Sequence, residues 1–432
     1  MVRILFLFFI LLFLSYTSLT QLNNLYLYGD TFVKYGIIFI LVFSLIVIAR
    51  YFILLLLSML NLFRHVKSKQ KYNYYHQKKV TIIVPCFNED KVIKASLESL
   101  KKQTYQNYEI IVVDDGSSDD TFKIAKRMEF NDGKCRLIAV TKENGGKANA
   151  LNLGIEMAKG ELFLAVDADS VLSRDALELM VPYFDDPRVG AVAGSVYVVN
   201  QDNLWTKLQA LEYIQGLNLV RNGQAYLKLV NIIPGPIGMF RRDAVSSLGG
   251  YSDDTYAEDC DLTLRLINEN YKIDYEIDAV SYTEAPEELL DLLKQRYRWT
   301  RGILQSILKH KMKLVNIFSN FSMSMVLWYM VFEAFLWPFA SIFANVFIVY
   351  LGVSSSHSEL LLYWWVMFTV LDVVASIYCV SVTKERMGLV WYSLYYRIFF
   401  INVINIAKVL ATIEELFGIE MSWGKLERKG KI

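Results

Sequence analysis

Two aspartates separated by one residue, Asp167 and Asp169, are the strongest metal-binding candidates in the sequence. They follow the apolar run ELFLAV, which predicts a buried β-strand, and side chains that alternate along a strand would place both carboxylates on one side. Adjacent carboxylates repel each other unless a cation lies between them. The pair therefore predicts a site for Mg²⁺ or Mn²⁺ that also binds substrate phosphates. The structural alternative is an Asx turn that caps the next helix near Arg174.

A second acidic group, EDCD at positions 258–261, opens a predicted helix. Acidic residues in a first helical turn are stabilised by the helix dipole, so capping alone is the structural alternative. Chemically, a carboxylate here can take the proton from a hydroxyl group while that hydroxyl attacks an anomeric carbon. Asp259 is the predicted general base.

Polar residues after two earlier apolar runs suit a nucleoside. Phe87 and Glu89 follow VTIIVPC, and Asp115 follows EIIVVD. Carboxylates only accept hydrogen bonds, so Glu89 and Asp115 suit a nucleobase N–H and a ribose hydroxyl, with the Phe87 ring against the base. The structural alternative for the segment around Asp115 is a tight Asp-Gly turn before a helix cap.

Two basic residues are placed where a diphosphate could bind. Lys147 follows Asn-Gly-Gly and opens a predicted helix, although the spacing is not that of a P-loop and a solvated turn is the alternative. Gln295, Arg298 and Trp299 share one face of a later predicted helix. Arg298 can clamp a diphosphate, and Trp299 can stack on a sugar ring. A basic interfacial helix with a Trp anchor is the alternative there.

The segments that position these residues alternate between short apolar runs and helical patterns from Val80 onward. Apolar strands separated by helices predict an α/β domain with a mainly parallel sheet and helices on both faces. Ligands on such sheets bind beyond the carboxyl ends of the strands, where these motifs fall. The net charge of +1 gives no indication of nucleic-acid binding. Four cysteines without a CxxC pair and four histidines indicate neither a disulfide framework nor a zinc site.

Apolar runs flank this domain on both sides and predict membrane helices. Residues 36–63, 321–352 and 360–382 are each long enough to cross a bilayer. We expect residues 4–20 to be a retained helix, with a signal peptide as the alternative. Polar residues interrupt the run 389–417, and one crossing there would place a basic tail outside, so we expect a hairpin or an interfacial helix.

The order of the motifs carries a family resemblance. Pro-x-x-Asn-Glu, Asp-Asp-Gly-Ser, Gly-Lys-Ala-x-Ala-Leu-Asn, Asp-x-Asp, Glu-Asp and Gln-x-x-Arg-Trp follow one another between about residues 80 and 302. Together they resemble the processive family-2 glycosyltransferases, which include cellulose, chitin, hyaluronan and poly-N-acetylglucosamine synthases. Two leading helices, a compact catalytic region and a short tail look most like the bacterial poly-β-1,6-N-acetylglucosamine synthases.

This resemblance implies a GT-A fold, a UDP-sugar donor with UDP-GlcNAc favoured, bound Mg²⁺ or Mn²⁺, and inversion at the anomeric carbon. It implies that the donor contacts Phe87, Glu89, Asp115, Lys147, Asp167, Gln295 and Arg298. It makes Asp169, with Asp167, the metal site, Asp259 the base and Trp299 a contact of the acceptor. The loop at 233–236 departs from the family pattern, since Ile-Pro-Gly-Pro replaces a common Ser-Gly, and this puts the acceptor in doubt.

The expected organisation is a multi-pass plasma-membrane protein with a cytoplasmic catalytic domain, because basic residues follow the second apolar run. The predicted parts are membrane helices at 1–66, the catalytic domain at 67–284, an interfacial segment at 285–318 and further membrane helices at 319–432. Expected partners are a UDP-sugar, a glycan acceptor and the lipid bilayer. The resemblance is also compatible with a small accessory membrane subunit.

Two other functions remain open from the sequence. A non-processive enzyme would add one sugar to a lipid-linked or glycolipid acceptor. A non-catalytic membrane conduit or nucleotide sensor could use the same fold. Asp169, Asp259 and Arg298 are all present, whereas a degenerate copy would be expected to lose at least one of them, so we favour an enzyme.

Overall fold

A nine-stranded sheet forms the centre of the structure, a computed structural model that describes residues 9–17, 20, 31–69, 78–131, 135–354, 358–383, 385–419 and 430–431. The strands are β1 (Val80–Cys86), β2 (Tyr108–Asp114), β3 (Phe130–Asn131), β4 (Arg136–Thr141), β5 (Leu162–Ala165), β6 (Ser170–Leu172), β7 (Val189–Val198), β8 (Gly238–Arg241) and β9 (Lys272–Thr283). Their order across the sheet is β3-β4-β2-β1-β5-β8-β7-β9-β6.

One half of the sheet is parallel, as the apolar runs predict. Strand β1 pairs in parallel with β2 and β5, and β2 pairs in parallel with β4. Every residue of β1, β2 and β5 is buried, which explains why these strands are mostly apolar instead of alternating, with Thr81, Glu109 and Asp114 as the polar exceptions. The other half is mixed, because β8 runs antiparallel to β5 and β7, and β6 runs antiparallel to β9. The sequence pattern did not predict this change of direction.

Helices cover the sheet and extend beyond it. They are α1 (Thr31–Lys69), α2 (Ile93–Leu100), α3 (Thr121–Arg127), α4 (Lys147–Met157), α5 (Ala176–Met180), α6 (Leu204–Glu212), α7 (Val220–Tyr226), α8 (Arg242–Ser247), α9 (Glu258–Asn268), α10 (Leu289–Lys309), α11 (Met312–Val315), α12 (Phe321–Val331), α13 (Trp337–Ser354), α14 (Ser358–Thr383), α15 (Ser393–Tyr395) and α16 (Ile401–Leu416). Seven residues of π-helix, Tyr213–Leu219, join α6 to α7.

Within the described residues, four helical segments are long and apolar enough to cross a membrane: Thr31–Val66, Phe321–Val353, Leu362–Thr383 and Met387–Leu416. The first three correspond to the predicted runs 36–63, 321–352 and 360–382. Of the predicted first helix, residues 9–17 are helical, and most of the remainder lies outside the described residues.

The last of these segments corrects the expectation for residues 389–417. The structure contains one continuous helical segment there, so the predicted hairpin is wrong, whereas the alternative of an interfacial helix stays a prediction. The polar residues that suggested a break have partners in neighbouring helices. Arg397 donates to both carboxylate oxygens of Asp372, at 2.6 and 2.9 Å, and the Asn405 amide donates to the Ser341 hydroxyl at 3.1 Å. Buried polar groups are tolerated in such a helix when they are hydrogen bonded in this way.

Candidate active site

One pocket, with a cavity volume of about 210 Å³, lies beside the end of β5 between α4, α9, α10 and the π-helix. Seven of the ten residues predicted from the sequence line it: Lys147, Asp167, Asp169, Asp259, Gln295, Arg298 and Trp299. These residues span more than 150 positions of the chain. Their convergence follows from the α/β topology, which brings the ends of several strands and helices to one edge of the sheet.

Asp167 and Asp169 reach this pocket from a turn and not from a strand. Strand β5 ends at Ala165, and both aspartates lie in the turn before β6. The two carboxylates are therefore not aligned by strand alternation, contrary to our prediction. Both side chains nevertheless line the pocket. The Asx-turn alternative also fails, because a strand follows the turn instead of a helix. Asp169 is only 5% exposed, and it accepts a hydrogen bond from the Ser170 hydroxyl at 3.3 Å.

Lys147 opens helix α4, as predicted, and its ammonium group links two acidic residues. Its Nζ lies 2.6 Å from Asp167 Oδ1 and 3.1 Å from Glu258 Oε1. Burial opposes the charge, but the carboxylates of Asp167, Glu258 and Asp259 outweigh burial and raise the pKa of Lys147 well above its ordinary value. Lys147 is therefore a permanent positive charge within the pocket.

A glycine allows the chain to approach this ion pair. A Cβ atom on Gly235 would lie 2.8 Å from Asp167 Oδ2 and 2.9 Å from Lys147 Nζ. Both distances are shorter than ordinary contact, so a side chain at this position would displace the charged ends of Asp167 and Lys147. Gly235 belongs to the Ile-Pro-Gly-Pro loop at 233–236, and this loop forms part of the pocket wall.

Asp259 lies in the first turn of α9, half-buried in the pocket wall. Its Oδ1 accepts a hydrogen bond from the backbone N–H of Cys260 at 2.7 Å. Burial, and next the nearby Glu258 carboxylate, raise the pKa of Asp259 to about 6 against the opposing charge of Lys147. A carboxylate with this pKa is mostly ionised at neutral pH and is a stronger base than an ordinary aspartate.

The sequence predicted that Gln295, Arg298 and Trp299 share one face of a helix, and in the structure all three lie in α10 and line the pocket. A residue that the sequence analysis did not single out, Arg296, orders this face. Its Nη1 donates to Gln295 Oε1 at 2.7 Å, and its guanidinium lies 4.3 Å from the centre of the Trp299 ring. Arg296 is itself held by an ion pair with Glu212 at 2.5 Å. The indole therefore has a fixed position, while Arg298 is exposed to the pocket.

Phe87, Glu89 and Asp115 do not line this pocket. They follow the ends of β1 and β2, whose last residues, Cys86 and Asp114, are paired in register. The three side chains thus belong to the same edge of the sheet as the pocket, as the strand pattern predicts. Their assignment to a nucleoside stays a prediction.

The Asp115 carboxylate has structural partners that the sequence did not predict. It accepts hydrogen bonds from the backbone N–H groups of Gly145 at 3.0 Å and Gly146 at 2.7 Å, and from Lys142 Nζ at 2.7 Å. Gly146 has a φ of +88°, a conformation that glycine adopts readily. Asp115 therefore holds the glycine turn that leads into Lys147.

Other wall residues carried no recognised motif. Tyr213, Leu217 and Arg221 reach the pocket from the π-helix and from the start of α7. One signal in the sequence could have drawn attention to this wall, because Arg221 is the single charged residue in the stretch YIQGLNLV-R-NGQAYL. The sequence alone does not show that a π-helix forms there.

A second group of possible metal ligands lies outside the pocket. His65, Glu276 and Asp278 place one ligand atom each within 4.8 Å of the others, in the part of the chain that the structure describes. Glu276 also accepts a hydrogen bond from the Tyr183 hydroxyl at 2.9 Å. The sequence indicated no such site, because His65 and the two acids are more than 200 positions apart.

In the pocket, Asp167 and Asp169 offer two protein ligands, so a metal there would take further ligands from bound substrate.

Comparisons with known proteins agree with this architecture. Residues 81–249 match the family model described as Glycosyl transferase family 2. Poly-beta-1,6-N-acetyl-D-glucosamine synthases from Staphylococcus aureus (strain COL) and Staphylococcus epidermidis are 34% and 33% identical to the chain over 224 residues. Those matches cover 52% of this chain and 54% of each relative, so the chain spans about half the length of the curated relatives it matches.

A solved structure supports the fold over a longer stretch. The mannosyltransferase PcManGT from Pyrobaculum calidifontis, solved in complex with GDP-Man and Mn²⁺, superposes with a TM-score of 0.60. The match covers 86% of this chain and 99% of that chain at 21% sequence identity. At this identity the similarity shows the fold alone, and it confirms the predicted GT-A domain with additional apolar helices.

Proposed function

We propose that this protein transfers a sugar from a UDP-sugar to a growing β-linked glycan at a membrane, which the match of residues 81–249 to the glycosyl transferase family 2 model supports. The observation that carries the proposal is the pocket itself, which combines a half-buried base, two neighbouring aspartates, an ion-paired lysine and a tryptophan ring. The names of the staphylococcal relatives favour UDP-GlcNAc as the donor and poly-N-acetylglucosamine as the product.

The diphosphate of the donor fits between Lys147 and Arg298. Lys147 remains charged, and Arg298 is exposed to the same pocket, so both can bind phosphate oxygens. Incoming phosphate would compete with Asp167 and Glu258 for the Lys147 ammonium group. Gln295 would complete the donor contacts. Phe87, Glu89 and Asp115, at the neighbouring strand ends, would receive the nucleoside.

The acidic side of the pocket fits a divalent cation. Asp167 and Asp169 supply carboxylate oxygens, which Mg²⁺ and Mn²⁺ prefer, and the Lys147 ammonium already occupies a cationic position beside Asp167. Asp169 and Asp167 would hold the ion together with oxygens of the substrate. When bound, it would neutralise charge on the departing diphosphate.

Asp259 would act as the base in a single displacement. Its carboxylate takes the proton from an acceptor hydroxyl while the hydroxyl oxygen bonds to the anomeric carbon of the donor. The bond between that carbon and the diphosphate oxygen breaks, and UDP leaves with the bonding electrons. One displacement at an α-linked donor gives a β-linkage. The raised pKa of Asp259 suits this proton transfer near neutral pH.

Trp299 supports a processive enzyme over a non-processive one. The indole is held in place by Arg296 and would stack on the acceptor sugar, a contact that is compatible with movement of the chain by one unit. Helix α10 leads through α11 into α12, which begins the first apolar segment after the site. We infer a multi-pass protein of the plasma membrane with the catalytic domain in the cytoplasm, and a product that passes through the membrane helices.

The test uses the purified full-length protein in detergent with Mg²⁺ or Mn²⁺. UDP-GlcNAc, UDP-Glc and UDP-GlcA are offered separately, UDP release is measured, and products are sized by electrophoresis or mass spectrometry. We expect UDP release with UDP-GlcNAc and a ladder of lengthening products. Absence of UDP release with all three donors would contradict the enzyme assignment. A lipid-extractable product carrying one added sugar at all reaction times would replace processive transfer with the non-processive alternative.

A further inference from the structure

Arg221 is a buried cation in the wall of the pocket. Arg221 is only 6% exposed, yet it lines the pocket. Its Nη1 atom is buried and has no hydrogen-bond partner among the residues that the structure describes. A buried guanidinium without a partner is unfavourable, so we expect an acceptor bound in the pocket to pair with the part of this guanidinium that reaches the pocket surface.

The groups around Arg221 do not neutralise it. Burial lowers the pKa of Arg221, and the neighbours Tyr275, Asp259 and Tyr213 offset this effect only in part. The Tyr275 hydroxyl is already hydrogen bonded to the Ser195 hydroxyl at 2.6 Å. A guanidinium nevertheless remains charged at any physiological pH. The side chain is therefore a charged donor beside the proposed base, with capacity for one more acceptor.

The helical segment around Arg221 is connected to α1 by hydrogen bonds. The π-helix Tyr213–Leu219 precedes it, and π-turns are often found at functional sites. Tyr213, Leu217 and Arg221, each four residues apart, all line the pocket. The next residue, Asn222, donates a hydrogen bond from its amide to the Ser58 hydroxyl in α1 at 2.7 Å. Arg221 is thus directed into the pocket by a segment that is anchored to a membrane helix.

The chemistry of the pocket decides which acceptor group suits Arg221. Five acidic residues line the pocket against three basic ones, so a carboxylate on the sugar would be repelled overall. A neutral carbonyl oxygen has no such penalty. Apolar residues also line the pocket, among them Leu217, which lies four residues before Arg221 in the same helical segment, and such residues suit a methyl group. A carbonyl oxygen and a methyl group together make the acetamido substituent of an N-acetylated sugar.

We propose that Arg221 determines specificity by donating a hydrogen bond from its guanidinium to the acetamido carbonyl oxygen of the acceptor sugar. This role rests on the proposed glycosyltransferase function and adds an acceptor-recognition residue to it. Loss of the guanidinium should weaken binding of N-acetylated acceptors, while acceptors without the acetyl group should be affected little.

The experiment measures binding of two soluble acceptors to the full-length protein in detergent by calorimetry. One is a β-1,6-linked N-acetylglucosamine disaccharide, and the other is its glucosamine counterpart. Wild type is compared with Arg221→Met, which removes the donors at similar volume, and with Arg221→Gln, which keeps a neutral donor. Arg188→Met is the matched control, because Arg188 is exposed and pairs with Asp186 away from the pocket.

We expect wild type to prefer the N-acetylated disaccharide, Arg221→Met to lose at least tenfold of that preference, and Arg221→Gln to keep part of it. Affinity for UDP should be unchanged in all variants. An unchanged preference in folded Arg221→Met, or no preference in wild type, would overturn the proposal. UDP release by wild type is measured in parallel. If wild type releases UDP but Arg221→Met keeps the preference for the N-acetylated disaccharide, only the role of Arg221 is wrong. If wild type releases no UDP with any of the three donors, the proposed function is wrong.

Discussion

Lys147 Nζ lies 2.6 Å from Asp167 Oδ1, so a residue proposed to bind the diphosphate is paired with a residue proposed to bind the metal. The same ammonium contacts Glu258 at 3.1 Å. Binding of a metal and a diphosphate together would exchange these contacts without leaving a charge unpaired. Substrate and metal binding are therefore expected to support each other.

Metal dependence follows from the two aspartates in the turn after β5. Asp169→Asn should lower turnover roughly 100-fold or more, because charge on the departing diphosphate would lack its counter-charge. UDP release with and without excess EDTA measures the effect. Asp253→Asn, a change at an exposed aspartate outside the pocket, is the control and should retain activity. Full turnover of wild type in EDTA would show that the metal assignment is wrong.

The base can be separated from the binding groups. Asp259→Asn should reduce kcat by about 10²- to 10⁴-fold, the usual contribution of general base catalysis. Affinity for UDP should change little, because the carboxylate acts on the acceptor hydroxyl in the transition state. Calorimetry with UDP and steady-state kinetics give the two quantities. Equal losses in UDP affinity and in rate would identify Asp259 as a binding or structural residue instead.

A pH dependence follows from the raised pKa of Asp259, which is about 6. The base is active when ionised, so the rate should be lost as pH falls through about 6 and should level off above it. Lys147 contributes no step in this range because its pKa is raised well above the ordinary value. The measurement is kcat/KM against pH for wild type. A rate that stays constant from about pH 7 down to about pH 5 would count against Asp259 as the base.

Trp299 tests whether the enzyme is processive. Trp299→Ala should shorten or abolish polymer while UDP binding is nearly intact, because the lost indole contacts the acceptor and not the nucleotide. Size analysis of the product and calorimetry with UDP measure the two effects. Trp391→Ala, which changes an exposed tryptophan outside the pocket, should leave product length unchanged. Normal product length in Trp299→Ala would remove the stacking role.

Gly235 tests the ion pair between Lys147 and Asp167. Gly235→Ala places a Cβ within 3 Å of both charged groups, so it should displace them and raise the KM for the UDP-sugar several-fold. Thermal stability should fall only slightly, because overpacking here moves side-chain ends at a pocket wall and not the core. The control is Gly388→Ala, where a new Cβ would meet nothing within 4 Å. A variant with unchanged KM would show that the pair has room to adjust without loss of function.

The sequence by itself determined the α/β class of the catalytic domain, the parallel part of its sheet and seven of the residues that line its pocket. Short runs rich in apolar residues alternate with segments of helical spacing, so β1, β2, β4 and β5 could be placed from local pattern alone. Motifs at the ends of such strands must meet at one edge of the sheet. The i, i+3, i+4 spacing also placed Gln295, Arg298 and Trp299 on one face of α10.

Only the tertiary structure decided which side chains become partners. Asp115 contacts the glycine turn about 30 residues away, Arg397 pairs with Asp372 in another helix, and Arg221 is directed into the pocket by a π-helix. None of these contacts leaves a periodic signal, because each depends on how separate elements pack. The sequence encodes the elements through local spacing, whereas long-range hydrogen bonds and ion pairs arise when packing brings those elements together.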